Sequence, residues 1–334
     1  MLKFGKGIVK FRYVILVLSV LLLIPSVIGY LNTRINYDIL YYLPDNIETM
    51  KGQDILLKDF GKGAYGIFVC DGLDSAEQIE MKEKVEAVDH VADVICYNAI
   101  TEGTVPEEML PDEVRDVFYS KDGKGCLMFI FFDSTSSSDE TMDAITKIRE
   151  VAGEQCMLSS MAAVVTDTKN LVQEQTPIYT VIAVVLALIV LMLTMDSFIV
   201  PILFLVDIGM TIIYNLGSNF VTGEISFITM SLVAILQLGV TMDYSIFLYH
   251  SYVEHKVLYP DKKEAMAHAI AATITSVAGS SLTTIAGFLA MCFMTFTLGL
   301  DMGIVMAKGV LFGVVGCITI LPSLILIFDR AIEK

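Results

Sequence analysis

Six apolar runs punctuate the chain, at residues 13–30, 178–195, 198–216, 225–249, 270–294 and 303–328. A helix crosses the hydrocarbon core of a bilayer with roughly 20 residues, so each run predicts a membrane span. The long interval between the first two runs has another rhythm. Short apolar stretches at 64–70, 91–97, 125–132 and 155–160 predict strands. Apolar residues at helical spacing predict helices at 75–88, 138–151 and 164–175. A proline-marked loop with a short acidic helix fills 106–119, and Ser137 or Ser138 is placed to cap the helix at 138–151. The strand at 125–132 is apolar without clean alternation, which predicts a central strand covered on both faces. The order β-α-β, insertion, β-α-β is that of the split βαβ, ferredoxin-like arrangement. The pattern therefore predicts a multi-pass α-helical membrane protein of six spans, with an α+β domain of ferredoxin-like order between spans one and two.

Composition agrees, since 55% of the 334 residues are hydrophobic and mean hydropathy is +0.67. The net charge of −16 adds direction. Residues 34–176 hold 28 acids against 12 bases, which is the whole deficit. Lys3, Lys6, Lys10 and Arg12 precede the first span, and Lys256, Lys262 and Lys263 separate spans four and five. The positive-inside rule puts these groups and both termini in the cytoplasm, and the acidic domain outside. The expected organisation is a cytoplasmic N-terminus and span one in 1–32, an extracytoplasmic domain in 33–176, spans two to six in 177–328, and a cytoplasmic tail in 329–334. The first span is not read as a cleaved signal peptide, because its apolar core is long and Pro25-Ser-Val-Ile-Gly29 offers no small-x-small site. An acidic exterior argues against nucleic acid. Cys70, Cys96, Cys126 and Cys156 fall on predicted outer strands and read first as small core residues. An outside location also permits disulfides. No CxxC or metal-ligand spacing occurs.

The chemistry concentrates in the fourth run, where Asp243 and Tyr244 interrupt apolar sequence. An acid at membrane depth is expensive unless paired, hydrated or protonated, and it marks an ion or proton site by default. Tyr244 lies about 100° around the helix from Asp243 and so suits an acid on a facing helix better than its own neighbour. Gly239 shares the face of Asp243, one turn earlier. His250 lies two turns later on that face, and an imidazole changes charge near neutrality. Asp207, in the third run, is a second intramembrane acid and a second candidate for the proton relay. Lys308, near the outer end of the sixth run, is its candidate charge partner or else snorkels to the interface. Gly279 and Gly287 join Gly239 as helix-packing positions, because small residues let backbones approach in lipid. No Walker A sequence, Gly-x-Ser-x-Gly elbow or His-Glu-x-x-His is present. The chain does not read as an enzyme, and neither a cofactor nor a metal is implied.

Gly239-Val-Thr-Met-Asp243-Tyr244-Ser-Ile-Phe247-Leu248, with Glu254 beyond it, resembles the fourth-helix signature of the MMPL-type branch of the RND superfamily. Gly303-Ile-Val-Met-Ala-Lys-Gly-Val310 and Leu321-Pro322-Ser-Leu-Ile325 resemble its sixth helix and exit. Asn36-Tyr37-Asp38 and Tyr42-Leu43-Pro44-Asp45 resemble the segment after its first helix. The resemblance implies proton-driven export of lipids or other hydrophobic molecules across the cytoplasmic membrane. In it the Asp-Tyr pair takes up protons and the outer, porter domain handles substrate. Two features depart from the pattern. Ser251 stands where the family often has Arg, and the chain holds one six-helix unit where the family usually fuses two. The resemblance therefore also implies a second half unit, from another copy, a paralogous partner or a portion beyond this sequence. Alternatives within the same likeness are a non-transporting sterol-sensing-like sensor or scaffold, and a protein-translocation accessory subunit.

Overall fold

The structure, a computed structural model, describes residues 1–100, 111–122, 124–195 and 197–332. In chain order it begins with α1 (Leu2–Lys10), α2 (Arg12–Leu31), β1 (Arg34–Asn36) and α3 (Glu48–Phe60). Next come β2 (Tyr65–Asp71), α4 (Ser75–Glu86), β3 (Val91–Ile95), α5 (Tyr97–Ile100) and α6 (Asp112–Phe118). They are followed by β4 (Gly125–Phe132), α7 (Asp139–Ala152), β5 (Cys156–Ser159) and α8 (Met161–Thr194). The chain closes with α9 (Ile199–Gly217), β6 (Glu224–Ser226), α10 (Phe227–Leu258), α11 (Lys262–Met291) and α12 (Leu298–Ile332). Two compact units result, one of Met1–Asn36 with Val172–Lys334 and one of Tyr37–Leu171. Of the expected insertion, residues 106–110 lie outside the described residues, as does Gly123.

Among the described residues, six helices are long and apolar enough to cross a membrane: α2, α8, α9, α10, α11 and α12. The protein is a mostly helical, multi-pass membrane protein. Within the membrane unit, α9, α10 and α12 bury much of their length, while α2 and α8 show Val, Leu and Ile outward. Large aliphatic side chains are at ease against lipid tails, so that exposure needs no cover. The helices approach closely where small residues meet. Gly29 of α2 faces Gly217 of α9, and a Cβ on either would collide with backbone of the other helix. The Tyr214 hydroxyl adds a cross-tie, donating to the Ser19 carbonyl at 2.6 Å. β1 pairs in parallel with β6, and Ser226 then caps α10 by accepting from the Ile228 amide at 3.2 Å. The basic leader is itself helical. α1 buries Gly5, Ile8 and Val9 and packs on α11, with Gly5 against the Ala267 backbone.

The other unit is built on a four-stranded sheet of order β3-β4-β2-β5, antiparallel at every junction. Its helices start where local chemistry requires. Asp74 and Glu77 form a capping box at α4, and the Ser138 hydroxyl accepts from the Thr141 amide at 3.1 Å to cap α7. One sheet face, with Phe68, Met128, Ile130 and Phe132, packs against Val85 of α4 and Ile145 and Ile148 of α7. β4 alternates after all: Cys126, Met128, Ile130 and Phe132 are buried, and Leu127, Phe129 and Phe131 are half-buried. The half-covered face uses aromatic contacts instead. Phe129 meets Phe118 edge-on at 6.1 Å, and Lys62 sits 4.1 Å over the Phe131 ring. α3, which the pattern did not announce, buries none of its residues and ends at Gly61 in the left-handed conformation, φ 62°.

Cys70 occupies the middle of a cysteine row, in register with Cys126 on β4 and Cys156 on β5. Cys70 and Cys156 form a disulfide, with Cα atoms 4.1 Å apart, while Cys96 and Cys126 are buried thiols. The bond closes a loop across 86 residues of sequence. Such a closure contributes roughly 2–4 kcal/mol in native domains. Peptide mapping without reductant should return a Cys70–Cys156 linked peptide. Replacing both residues with Ser should lower the urea midpoint of this unit. An unlinked pair, or an unmoved midpoint, would show that the bond does not hold the sheet.

Candidate functional site

The sequence-predicted residues divide between an outward and an inward face of the bundle. On α10, Leu232, Leu236, Gly239, Asp243, Phe247 and His250 are exposed and recur at intervals of three and four, so they form one stripe. No hydrogen bond or ion pair reaches the Asp243 carboxylate among the described residues. Gly239 lies beside it with open space over its Cα. Tyr244, next in sequence, turns the other way. It is 3% exposed and belongs to the core shared by α9, α10, α11 and α12. The structure therefore separates Asp243 from Tyr244 within one unit. His250 and Glu254 are both exposed, and no ion pair joins them.

The neighbouring helix α11 presents a similar open surface. Ala272, Ser276, Gly279, Ser280, Ala286 and Gly287 are exposed, and a Cβ added at Gly279 or Gly287 would meet nothing within 4 Å. Several hydroxyls here bond back to their own helix, as Thr283 does to the Ser280 carbonyl at 2.7 Å. This surface differs in kind from the aliphatic exteriors of α2 and α8. Small side chains contribute little contact with lipid and much to helix–helix approach.

The inward face holds the second set. Asp207, Thr211, Asn215 and Asn219 stand four residues apart along α9 and just past its end, and all are buried to 1% exposure or less. α10 answers with Gln237 and Thr241. The Asn215 amide donates to Gln237 Oε1 at 3.0 Å, and the Gln237 amide donates to the Thr211 hydroxyl at 3.3 Å. α12 closes on this ladder with glycines. A Cβ at Gly309 would lie 2.6 Å from Asn215 Nδ2, one at Gly313 would strike Thr241, and one at Gly316 would lie 2.8 Å from Asp207 Oδ1. Side chains longer than hydrogen on α12 would displace the polar groups that satisfy one another. Asp207 Oδ1 itself has no partner.

Lys308 is not brought to Asp207. Its Nζ donates to Asn219 Oδ1 at 2.5 Å, three helical turns along α9 from the acid. The carboxylate near it is Asp301, which accepts from the Ser226 amide at 3.0 Å and from the Thr229 hydroxyl at 2.5 Å. Asp301 so anchors the start of α12 to the N-terminus of α10, where a helix favours negative charge. Sequence reasoning passed over Asp301, Asn215 and Asn219. The signal available was the four-residue polar spacing from Asp207 to Asn219 inside an otherwise apolar run.

A family model described as the MMPL family matches residues 42–333. The chain belongs to the MMPL family. Among curated relatives, a protein named for transport, MmpL12 of Mycobacterium tuberculosis, is 25% identical over 242 residues, covering 68% of this chain and 21% of that protein. A protein named apo-petrobactin exporter from Bacillus anthracis is 25% identical over 246 residues, covering 67% of this chain and 33% of its own. A membrane protein of Methanocaldococcus jannaschii, MJ1562, is 24% identical over 230 residues, covering 67% and 59%. The chain thus spans less than two thirds of the length of each. Among solved structures, SecDF of Thermus thermophilus, titled a translocon-associated membrane protein, shares the fold. The TM-score is 0.53 at 12% identity, covering 96% of this chain and 38% of SecDF.

The two glycine sets of this MMPL protein should respond oppositely to bulk. Gly313→Leu inserts a side chain into a filled space, which costs about 1–3 kcal/mol or more. It should lower the midpoint of thermal unfolding in detergent. Gly279→Leu, on the open face, should leave the midpoint of the single unit unchanged. Equal midpoints for both variants would remove the distinction between an inner packing face and an open one.

Proposed function

We infer that this MMPL protein is one half of a two-unit exporter that couples a proton gradient to the movement of lipids or other hydrophobic molecules. The observation that carries this reading is the place of Asp243. A carboxylate in the middle of a span, exposed and unpaired, costs about 3 kcal/mol against lipid. Covered by a matching helix, it becomes a site that holds or releases a proton. The glycine beside it and the small-residue face of α11 support a second unit, whether another copy or a paralogous one, docking there. The names of two relatives support transport, and that of the apo-petrobactin exporter supports the export direction.

In this reading Asp243 is the proton carrier, and its two charge states favour different packings of α10 against its neighbours. Tyr244, locked in the core, sets the rotation of α10 and so the presentation of Asp243. His250, two turns toward the opposite end, passes protons to the cytoplasm. The α+β unit is a ferredoxin-like porter domain, a reading supported by the strand order β3-β4-β2-β5. Its disulfide and the basic N-terminus both support an extracytoplasmic position with cytoplasmic termini. α8 continues from this unit into the membrane and is the natural transmitter of the shift. The fold likeness to SecDF favours a second reading, a translocation accessory subunit. Efflux of a hydrophobic dye by purified protein with no translocon present separates the two.

The deciding assay is efflux from vesicles with an imposed pH gradient. Asp243→Asn should abolish gradient-driven efflux while the protein still folds and inserts. Tyr244→Phe should weaken it less, and His250→Ala should move its pH profile. Efflux at the normal rate by Asp243→Asn would defeat proton coupling through this residue and leave the sensor or scaffold reading. Sidedness is checked separately. A cysteine at Asp122 should react with a membrane-impermeant maleimide in intact cells, and reaction in broken cells alone would invert the topology.

A further inference from the structure

We propose that Asp207 is a second proton-binding site, complete within one unit and reached along the polar ladder of α9 and α10. It deepens the proton-coupled reading, because it gives each unit a site that needs no partner. Three observations converge. Asp207 is 1% exposed, and its Oδ1 has no hydrogen-bond partner. An ionised carboxylate so placed in a membrane bundle is strongly disfavoured without a counter-charge. The described basic residue nearest in kind, Lys308, is engaged with Asn219. A proton is then the neutralising ligand: hydronium delivers it to the carboxylate, a carboxylic acid forms, and water leaves.

The approach is also built. From Asp207 the buried polar groups run through Thr211, Gln237 and Asn215 to Asn219, at the end of the bundle where β6 lies. Asn215 Oδ1 and Asn219 Nδ2 are also unpartnered, so the ladder has free acceptors and donors at separate levels. Tyr214 on α9 and Cys317 on α12 interact electrostatically with Asp207, and Tyr244 and Tyr249 on α10 lie in the core shared with α9. Lys308 and Asp301 stand toward the far end. None of these four groups is a cation, so they leave the proton as the balancing charge.

The test is infrared pH titration of the whole protein in lipid nanodiscs. A carboxylic-acid C=O band should titrate, shift with ¹³C-labelled aspartate, vanish in Asp207→Asn and move in Asp207→Glu. It should persist in Asp243→Asn even where efflux is lost, which keeps this proposal distinct from the carrier role of Asp243. Gln237→Leu should slow hydrogen–deuterium exchange of that carboxyl at least tenfold. Superimposable spectra for wild type and Asp207→Asn would overturn the site. Unchanged exchange in Gln237→Leu would overturn the route.

Discussion

Lipid offers no hydrogen bonds, and that single constraint organises the membrane unit. Every polar group placed at depth must find a partner inside the bundle or lie on a face that another protein covers. The ladder of Asp207, Thr211, Asn215 and Gln237 meets the first condition in part: Asn215, Gln237 and Thr211 pair across α9 and α10, while Asp207 Oδ1 and Asn215 Oδ1 stay without a partner. Gly309, Gly313 and Gly316 make it possible, since any larger residue on α12 would occupy the space of the paired groups. The bundle is held less by apolar burial, which lipid supplies equally, than by this fit of small residues against polar ones.

The same constraint explains why the two acids differ. Asp207 is enclosed by its own unit, while Asp243 stands on a stripe that nothing in the unit covers. Their separation gives one unit a buried carboxylate and an exposed one. Asp301 stands apart from both. It is consumed by capping α10 and by tying α12 to it, so its role is positional.

The α+β unit obeys ordinary aqueous rules. Its core is a sheet face under two helices, its helix starts are capped by Asp74 and Ser138, and its disulfide crosses adjacent strands. The second sheet face is finished by Phe118, Phe129 and a lysine over Phe131 rather than by a further layer. Such a face is half-apolar in sequence, which is why β4 reads as continuously hydrophobic although its burial alternates.

The sequence alone determined the elements that depend on local pattern. Run length announced the six spans, although α8 begins at Met161, α10 runs on to Leu258 and α11 begins at Lys262, all well outside their apolar runs. Short apolar stretches announced the strands β2, β3, β4 and β5 and the helices between them. It also singled out Asp243 and Asp207, because a charge in an apolar run is visible without a fold. It did not announce α3, which buries nothing and so leaves no periodic trace, nor the helical character of the basic leader. Which way a side chain faces was decided only in three dimensions. The 100° between Asp243 and Tyr244 follows from helix geometry, yet only the packing of α10 decides that Asp243 faces outward and Tyr244 lies in the core. Gly239, Gly279 and Gly287 read as helix-packing positions, yet within the unit all three face open space, and the glycines packed against neighbours on α12 are Gly309, Gly313 and Gly316. Lys308 found Asn219 rather than Asp207, because depth along two helices, and not charge type, sets which groups can touch.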